Sequence, residues 1–262
     1  MIIPHILVER IRAGKIVLFL GSGASKGAVH AQGRSPPDGQ QLAAMVAQTF
    51  LGEEYVGKPL DHVCALAISE TDLLTIQGFV AEVFADFYPA KFHKLIPTFE
   101  WSAIATTNYD LIVERAYADV QNPRQKLEPF IKNGQHVEDR LREPSSLMYL
   151  KLHGCITKID DPDVPLILTP EQYITHRRGR SRLFDKLVGL AHEQSMLFVG
   201  YSLSDIDLRM ILYELASLGN ALPRSYIVAP KITSADERYW SNRKITCLQG
   251  TFEEFLNTLT NA

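Results

Sequence analysis

Apolar residues in this 262-residue chain fall partly into short unbroken runs and partly into wider, helical spacings. Ile16-Val17-Leu18-Phe19-Leu20 has no polar position, the pattern of a strand buried on both faces of a parallel sheet. Further strands are predicted at Ser102 to Ala105, Leu147 to Lys151, Met196 to Val199, Ser225 to Val228 and Ile245 to Leu248, with helix-compatible segments between most of them. Pro4 to Arg12 reads as a short amphipathic helix stopped by Gly14. This alternation predicts a Rossmann-like, doubly wound α/β fold around a mainly parallel central sheet.

Two stretches interrupt the alternation. From about residue 40 to 100 the period is helical, with Leu42, Met45, Val46 and Phe50 on one face and Phe79, Val80, Val83 and Phe84 on another, which predicts a helical insertion. From about 119 to 145 the chain is polar and punctuated by Pro123, Asn133-Gly134 and Pro144, which predicts a long surface excursion. Capping boxes at Ser234/Glu237 and Thr251/Glu254 mark two late helix starts, and Thr169-Pro170 a third, after the Asp160 to Pro165 loop. Residues 1–262 are read as a single domain carrying both interruptions.

Composition narrows the class. Hydrophobic residues make up 46% and charged residues 22%, as in ordinary globular proteins, and no apolar run approaches the roughly 20 residues that cross a bilayer. Pro4, His5, Glu9 and Arg10 break the first segment, so no secretory signal is expected and a cytoplasmic location is. A net charge of -3 gives no general attraction to nucleic acid, and direct binding to it is not expected. Cys64, Cys155 and Cys247 are odd in number, far apart and outside any Cys-x-x-Cys, which argues against a disulfide framework and a zinc ribbon. The histidines show no metal-ligand spacing, and no Gly-x-Ser-x-Gly elbow is present, so neither a metal nor a serine-hydrolase mechanism is expected.

The chemistry sits at strand ends. Gly21-Ser22-Gly23-Ala24-Ser25 follows the first strand, either as a backbone cradle for a phosphate or as a tight strand-to-helix turn. Asn108, in Thr106-Thr107-Asn108-Tyr109-Asp110, is an amide that a buried strand end cannot hide without partners; it either caps the helix near Leu111, with Asp110 favouring the dipole, or faces a ligand. His153, in Leu152-His153-Gly154, stands where an imidazole can act as a base. Ser202, in Gly200-Tyr201-Ser202-Leu203-Ser204-Asp205, together with the helix N-terminus, offers groups for ribose or phosphate oxygens, and Asp205 is a ligand or a helix cap. The basic run His176 to Arg182 is a solvated face, an oligomer contact, a phosphate-facing patch or a docking surface.

Taken in order, these four motifs resemble the NAD-contact motifs of the sirtuin superfamily over nearly the whole chain. The resemblance implies that Gly21, Ser22, Gly23, Ala24 and Ser25 hold the pyrophosphate, that Asn108 faces the nicotinamide ribose, that Asp110 contacts the carboxamide and that His153 is the catalytic base. Gly200, Ser202 and Asp205 fall on the adenosine side. Pro37-Asp38 stands where sirtuins carry a Pro-Asp in their cofactor-binding loop, although Gly39-Gln40 replaces the usual Phe-Arg. Sirtuin deacylases carry paired Cys-x-x-Cys motifs after the His-Gly, where this chain has only Cys155. The Thr-Thr-Asn-Tyr-Asp and Gly-Tyr-Ser-x-Ser-Asp forms are more similar to bacterial sirtuin-like domains that hydrolyse NAD in antiphage defence. That resemblance implies NAD as substrate and a trigger sensed by a separate protein or by a further domain; control by assembly is expected, and apolar faces on the helical insertion suit a homo-oligomer. An NAD-dependent deacylase and a non-catalytic NAD or ADP-ribose sensor are the alternatives.

Overall fold

The computed structural model describes residues 1–135, 137–175, 177–201, 212 and 223–262. Seven strands form one sheet: β1 (Ile16–Leu20), β2 (Ala103–Thr106), β3 (Lys126–Phe130), β4 (Ser146–Lys151), β5 (Ser195–Val199), β6 (Ser225–Ala229) and β7 (Ile245–Gln249). Their order is β3-β4-β2-β1-β5-β6-β7, and every neighbouring pair is parallel. The doubly wound fold predicted from the alternation is therefore the observed one. All five residues of β1 are buried, as an unbroken apolar run at the centre of such a sheet requires.

From β1 the chain fills one side of the sheet first, with β2 beside β1, β3 at the edge and β4 inserted between them, and then the other side in order through β5, β6 and β7. The gap between β1 and β5 is thus a topological switch point, where the connections leave to opposite sides and a crevice opens beyond the strand carboxyl ends.

Helices α1 (His5–Arg12), α2 (Gly39–Phe50), α3 (Leu60–Glu70) and α4 (Leu73–Ala85) account for much of the first hundred residues. The last three enclose their own apolar cluster of Leu42, Val46, Val63, Cys64, Ile76 and Val80, closed by Leu166 and Leu168 from a later loop. Two further clusters cover the sheet. Leu18, Ile104, Tyr149, Phe255 and Leu256 belong to one, and Phe19, Ala105, Leu150, Phe198 and Trp240 to the other. Alternate residues of each strand therefore serve opposite layers.

The polar excursion is a correction. Residues 119–145 hold β3 and the short helix α6 (Val137–Arg140), so part of the segment completes the sheet. An edge strand is paired on one side only, which lets Pro129 sit in it and leaves every residue but the buried Phe130 exposed or half-buried, hiding the alternation.

Helix α5 (Ile112–Asp119) follows β2, α7 (Pro170–Ile174) starts at the Thr169 cap, and α8 (Ser181–Glu193) precedes β5. The capping box expected at Ser234 lies one residue earlier: Thr233 pairs with Asp236 at the start of α9 (Ser234–Ser241). Thr251 and Glu254 cap α10 (Phe252–Thr260) as predicted. Among the described residues, no helix is long and apolar enough to cross a membrane.

Candidate active site

The turn after β1 and the turn after β5 are built against each other. Gly21 N donates to Val199 O at 2.9 Å, and Gly23 N donates to Gly200 O at 2.8 Å. Gly200 has φ +79°, and a Cβ there would lie 2.1 Å from Ala24 N, so only glycine fits. The N–H groups of Gly21, Gly23 and Ala24 are consumed inside this junction, the last by Gly21 O. Backbone packing between the two turns thus accounts for the glycines, as a tight strand-to-helix turn requires.

Tyr201 continues the junction inward. Its hydroxyl donates to Leu20 O at 3.1 Å and lies 2.9 Å from Thr107 Oγ1, joining the ends of β1, β2 and β5. Thr106 Oγ1 donates to Leu20 O and accepts from Asn108 N at 2.9 Å, which turns the chain sharply after β2.

That turn aims Asn108 back at the glycine loop. Asn108 Nδ2 donates to Gly21 O at 2.9 Å and to Ser25 Oγ at 3.1 Å. Ser25 Oγ in turn donates to Asp110 Oδ2 at 2.6 Å, and Asp110 Oδ1 accepts from Ile112 N at 3.0 Å at the start of α5. Asp110, one residue before the N-cap Leu111, thus takes the first N–H of α5, and Asn108 takes none. Since Nδ2 faces both acceptors, the amide orientation is set, and Oδ1 takes no donor among the described residues.

His153 arrives from β4. Leu152 N donates to Thr106 O at 2.9 Å, carrying the sheet pairing up to it, and Gly154 at φ +94° reverses the chain. The imidazole is buried and meets the Tyr173 ring edge-to-face, with centroids 5.6 Å apart, while His153 O accepts from Ile167 N at 3.1 Å.

These groups line one cleft of ≈190 Å³, with Ser25, Asn108, Asp110 and His153 on its polar side and Pro37, Leu42, Leu60 and Phe84 among its apolar walls. A second, wider cleft of ≈760 Å³ lies beyond the ends of β5 and β6 and includes Gly23, Lys26, Gly200, Lys231 and the cap of α10. Ser22, Asp38 and Tyr201 line both, so the two form a divided crevice at the switch point. Gly21 and Ala24 line neither of these chambers. Ser202 and Asp205 lie outside the described residues. The basic run is split: His176 also lies outside them, Arg177 pairs with Asp185, and Arg180 is fully buried, with Nη2 on Pro165 O. Burial removes Arg180 from any solvated face.

His93 was not foreseen. It is buried behind the glycine turn, with Nδ1 accepting from Ala90 N at 2.9 Å and Nε2 2.8 Å from Ala24 O. Nδ1 is thereby the unprotonated nitrogen and Nε2–H the donor. Burial holds its pKa below the usual 6.5, against the opposing pull of Ala24 O and Asp110. A lone histidine in a proline-containing 3-10 segment carries no periodic signal, and only the fold brings it to Ala24.

The family model described as SIR2-like domain matches residues 102–248, more than half of the chain, and the protein belongs to that family. The fold is shared with solved structures. One is a Sir2 homologue in complex with NAD, at 13% identity and a TM-score of 0.56, covering 99% of this chain and 93% of that one. Two others, at 14% identity, are ADP-ribose complexes of Sir2 homologues: a histidine-to-asparagine mutant with a TM-score of 0.51 and a phenylalanine-to-alanine mutant with 0.56. Each covers 99% of this chain and 96% of its own. No curated protein matches the chain in sequence.

Proposed function

We propose that this protein hydrolyses NAD, cleaving the bond between nicotinamide and ribose to give nicotinamide and ADP-ribose. The observation that carries the reading is Asn108 and His153 lining one small cleft, with the Asn108 Nδ2 tied down on two sides. The Sir2 homologues solved with NAD or ADP-ribose support the choice of ligand, and the divided crevice suits a dinucleotide.

The nicotinamide end occupies the inner cleft and the adenosine end the wider one, with the pyrophosphate crossing at the Gly21 to Ser25 turn. Gly200, Ser202 and Asp205 serve the adenosine side. Nicotinamide departs as a neutral ring, so no acid need protonate it, and the barrier lies in positive charge developing on the ribose. Asn108 Oδ1, with no donor on it among the described residues, accepts a hydrogen from the attacking water and holds it at the anomeric carbon. His153 accepts the proton from that water or from a ribose hydroxyl. Asp110 contacts the carboxamide through the acceptor capacity left after Ser25 and Ile112 N–H are bound.

A deacylase would use the same cleft but pass the ribosyl group to an acyl-lysine oxygen. Three scattered cysteines give no paired motif to support the peptide groove of such enzymes, which favours water as the acceptor. In the cell the reading extends to NAD depletion during antiphage defence in the cytoplasm, with activity controlled by self-assembly and by a separate sensor protein or domain. Asn108→Ala and His153→Ala test the site: each is expected to stay folded and to lose NAD turnover by about 100-fold or more. Full activity in both folded variants would overturn the assignment.

A further inference from the structure

Lys151 ends β4, pairs in register with Thr106 and has no exposed surface. Its ammonium donates to Asp110 O at 2.5 Å and to Glu114 Oε1 at 2.8 Å, and it lies 5.6 Å from the Tyr149 ring centroid. One side chain therefore joins the strand that ends beside His153, two residues on, to the loop that carries Asn108 and Asp110.

Stability does not explain such a group. Removing an ammonium from water is costly, and a buried ion pair can usually be replaced by apolar residues of similar volume with little or no loss. What the ammonium supplies and a methyl group cannot is a fixed direction for the Asp110 carbonyl. That carbonyl belongs to the residue whose carboxylate receives Ser25, and Ser25 receives Asn108. Burial by itself pushes the pKa of the lysine down, but the surrounding groups together, Glu114 foremost, raise it above its usual value, so the ammonium stays charged.

The geometry points to Lys151 as a positioning residue that sets the Asn108–Asp110 loop in register with His153 across β2 and β4. It touches no reacting atom and acts through the Asp110 carbonyl. The inference rests on the NAD-cleaving reading for its kinetic consequence, though not for its structural one.

The test compares wild type, Lys151→Met, the double variant Lys151→Met/Glu114→Leu, which leaves no unpaired charge, and Glu114→Gln, which keeps an acceptor for the ammonium. Two quantities are read: amide deuterium exchange over residues 107–112, and kcat and KM for nicotinamide release from NAD. The double variant is expected to fold, to exchange about tenfold faster in that segment alone, and to lose about 30-fold or more in kcat with KM within about threefold, since misplacement of about 1 Å costs on the order of 100-fold. Glu114→Gln, which leaves Lys151 in place to donate to the Asp110 carbonyl, should keep kcat above that of the double variant. A folded double variant with wild-type kcat and wild-type exchange overturns the proposal, as does loss of fold in both lysine variants, which would assign Lys151 to stability alone. If wild type releases no nicotinamide, the kinetic comparison reports on the missing trigger and not on Lys151, while the exchange comparison still decides whether Lys151 positions the loop.

Discussion

Ser25 Oγ donates to Asp110 Oδ2 across 2.6 Å, with both residues buried, so the turn after β1 and the loop after β2 share one charge-assisted hydrogen bond. Ser25 also accepts from Asn108, making it the link between the amide and the carboxylate. Ser25→Ala leaves Asp110 short of a donor and is expected to cost about 1–3 kcal/mol of stability. Turnover of NAD should fall about tenfold with it, because Asn108 loses one of its two anchors. Denaturant unfolding and nicotinamide release read the two effects, and wild-type values for both would show the link to be idle.

The junction between the turns after β1 and β5 is intolerant of any side chain. Gly200→Ala places a Cβ 2.1 Å from Ala24 N at a backbone conformation of φ +79°. Nothing at the far end of a flexible side chain can move aside there, because the obstacle is backbone. A loss of roughly 3 kcal/mol or more is expected, which lowers Tm by about 6–12 °C for a chain of this size. Calorimetry of the variant checks this, and an unchanged Tm would contradict the described junction.

His93 makes stability depend on pH. Burial lowers its folded-state pKa below the 6.5 of the unfolded chain, so the unfolded state takes up a proton first as pH falls. Its contribution is fully present above about 6.5 and is lost progressively on acidification toward the lower folded value. Protonation also ends acceptance of the Ala90 N–H by Nδ1. In His93→Gln the slope of unfolding free energy between pH 7 and 5 should be shallower than in wild type. Identical slopes would remove His93 as its source.

The central strands were legible because burial on both faces leaves no polar residue to blur them; β1 was placed at Ile16–Leu20 without error. β3 was missed for the opposite reason. Its Lys126, Glu128 and Pro129 suit an edge and read as loop. At the site, Asn108 and His153 stood out as polar groups at strand ends, and the fold does bring them to one cleft. The sequence placed Ser25 within a phosphate turn, whereas its side chain is bonded to Asp110, 85 positions away. Such pairings have no local signature. Lys151 looked like an ordinary strand end for the same reason, since its partners lie on α5 and the loop before it.

The most direct test of the account is to incubate the purified protein with NAD, with and without an acetylated lysine peptide, and to follow nicotinamide and ADP-ribose by chromatography beside Asn108→Ala. Hydrolysis by water predicts equal release of nicotinamide and ADP-ribose in both arms, abolished in the variant. Release that requires the peptide and yields an acylated ADP-ribose would contradict it.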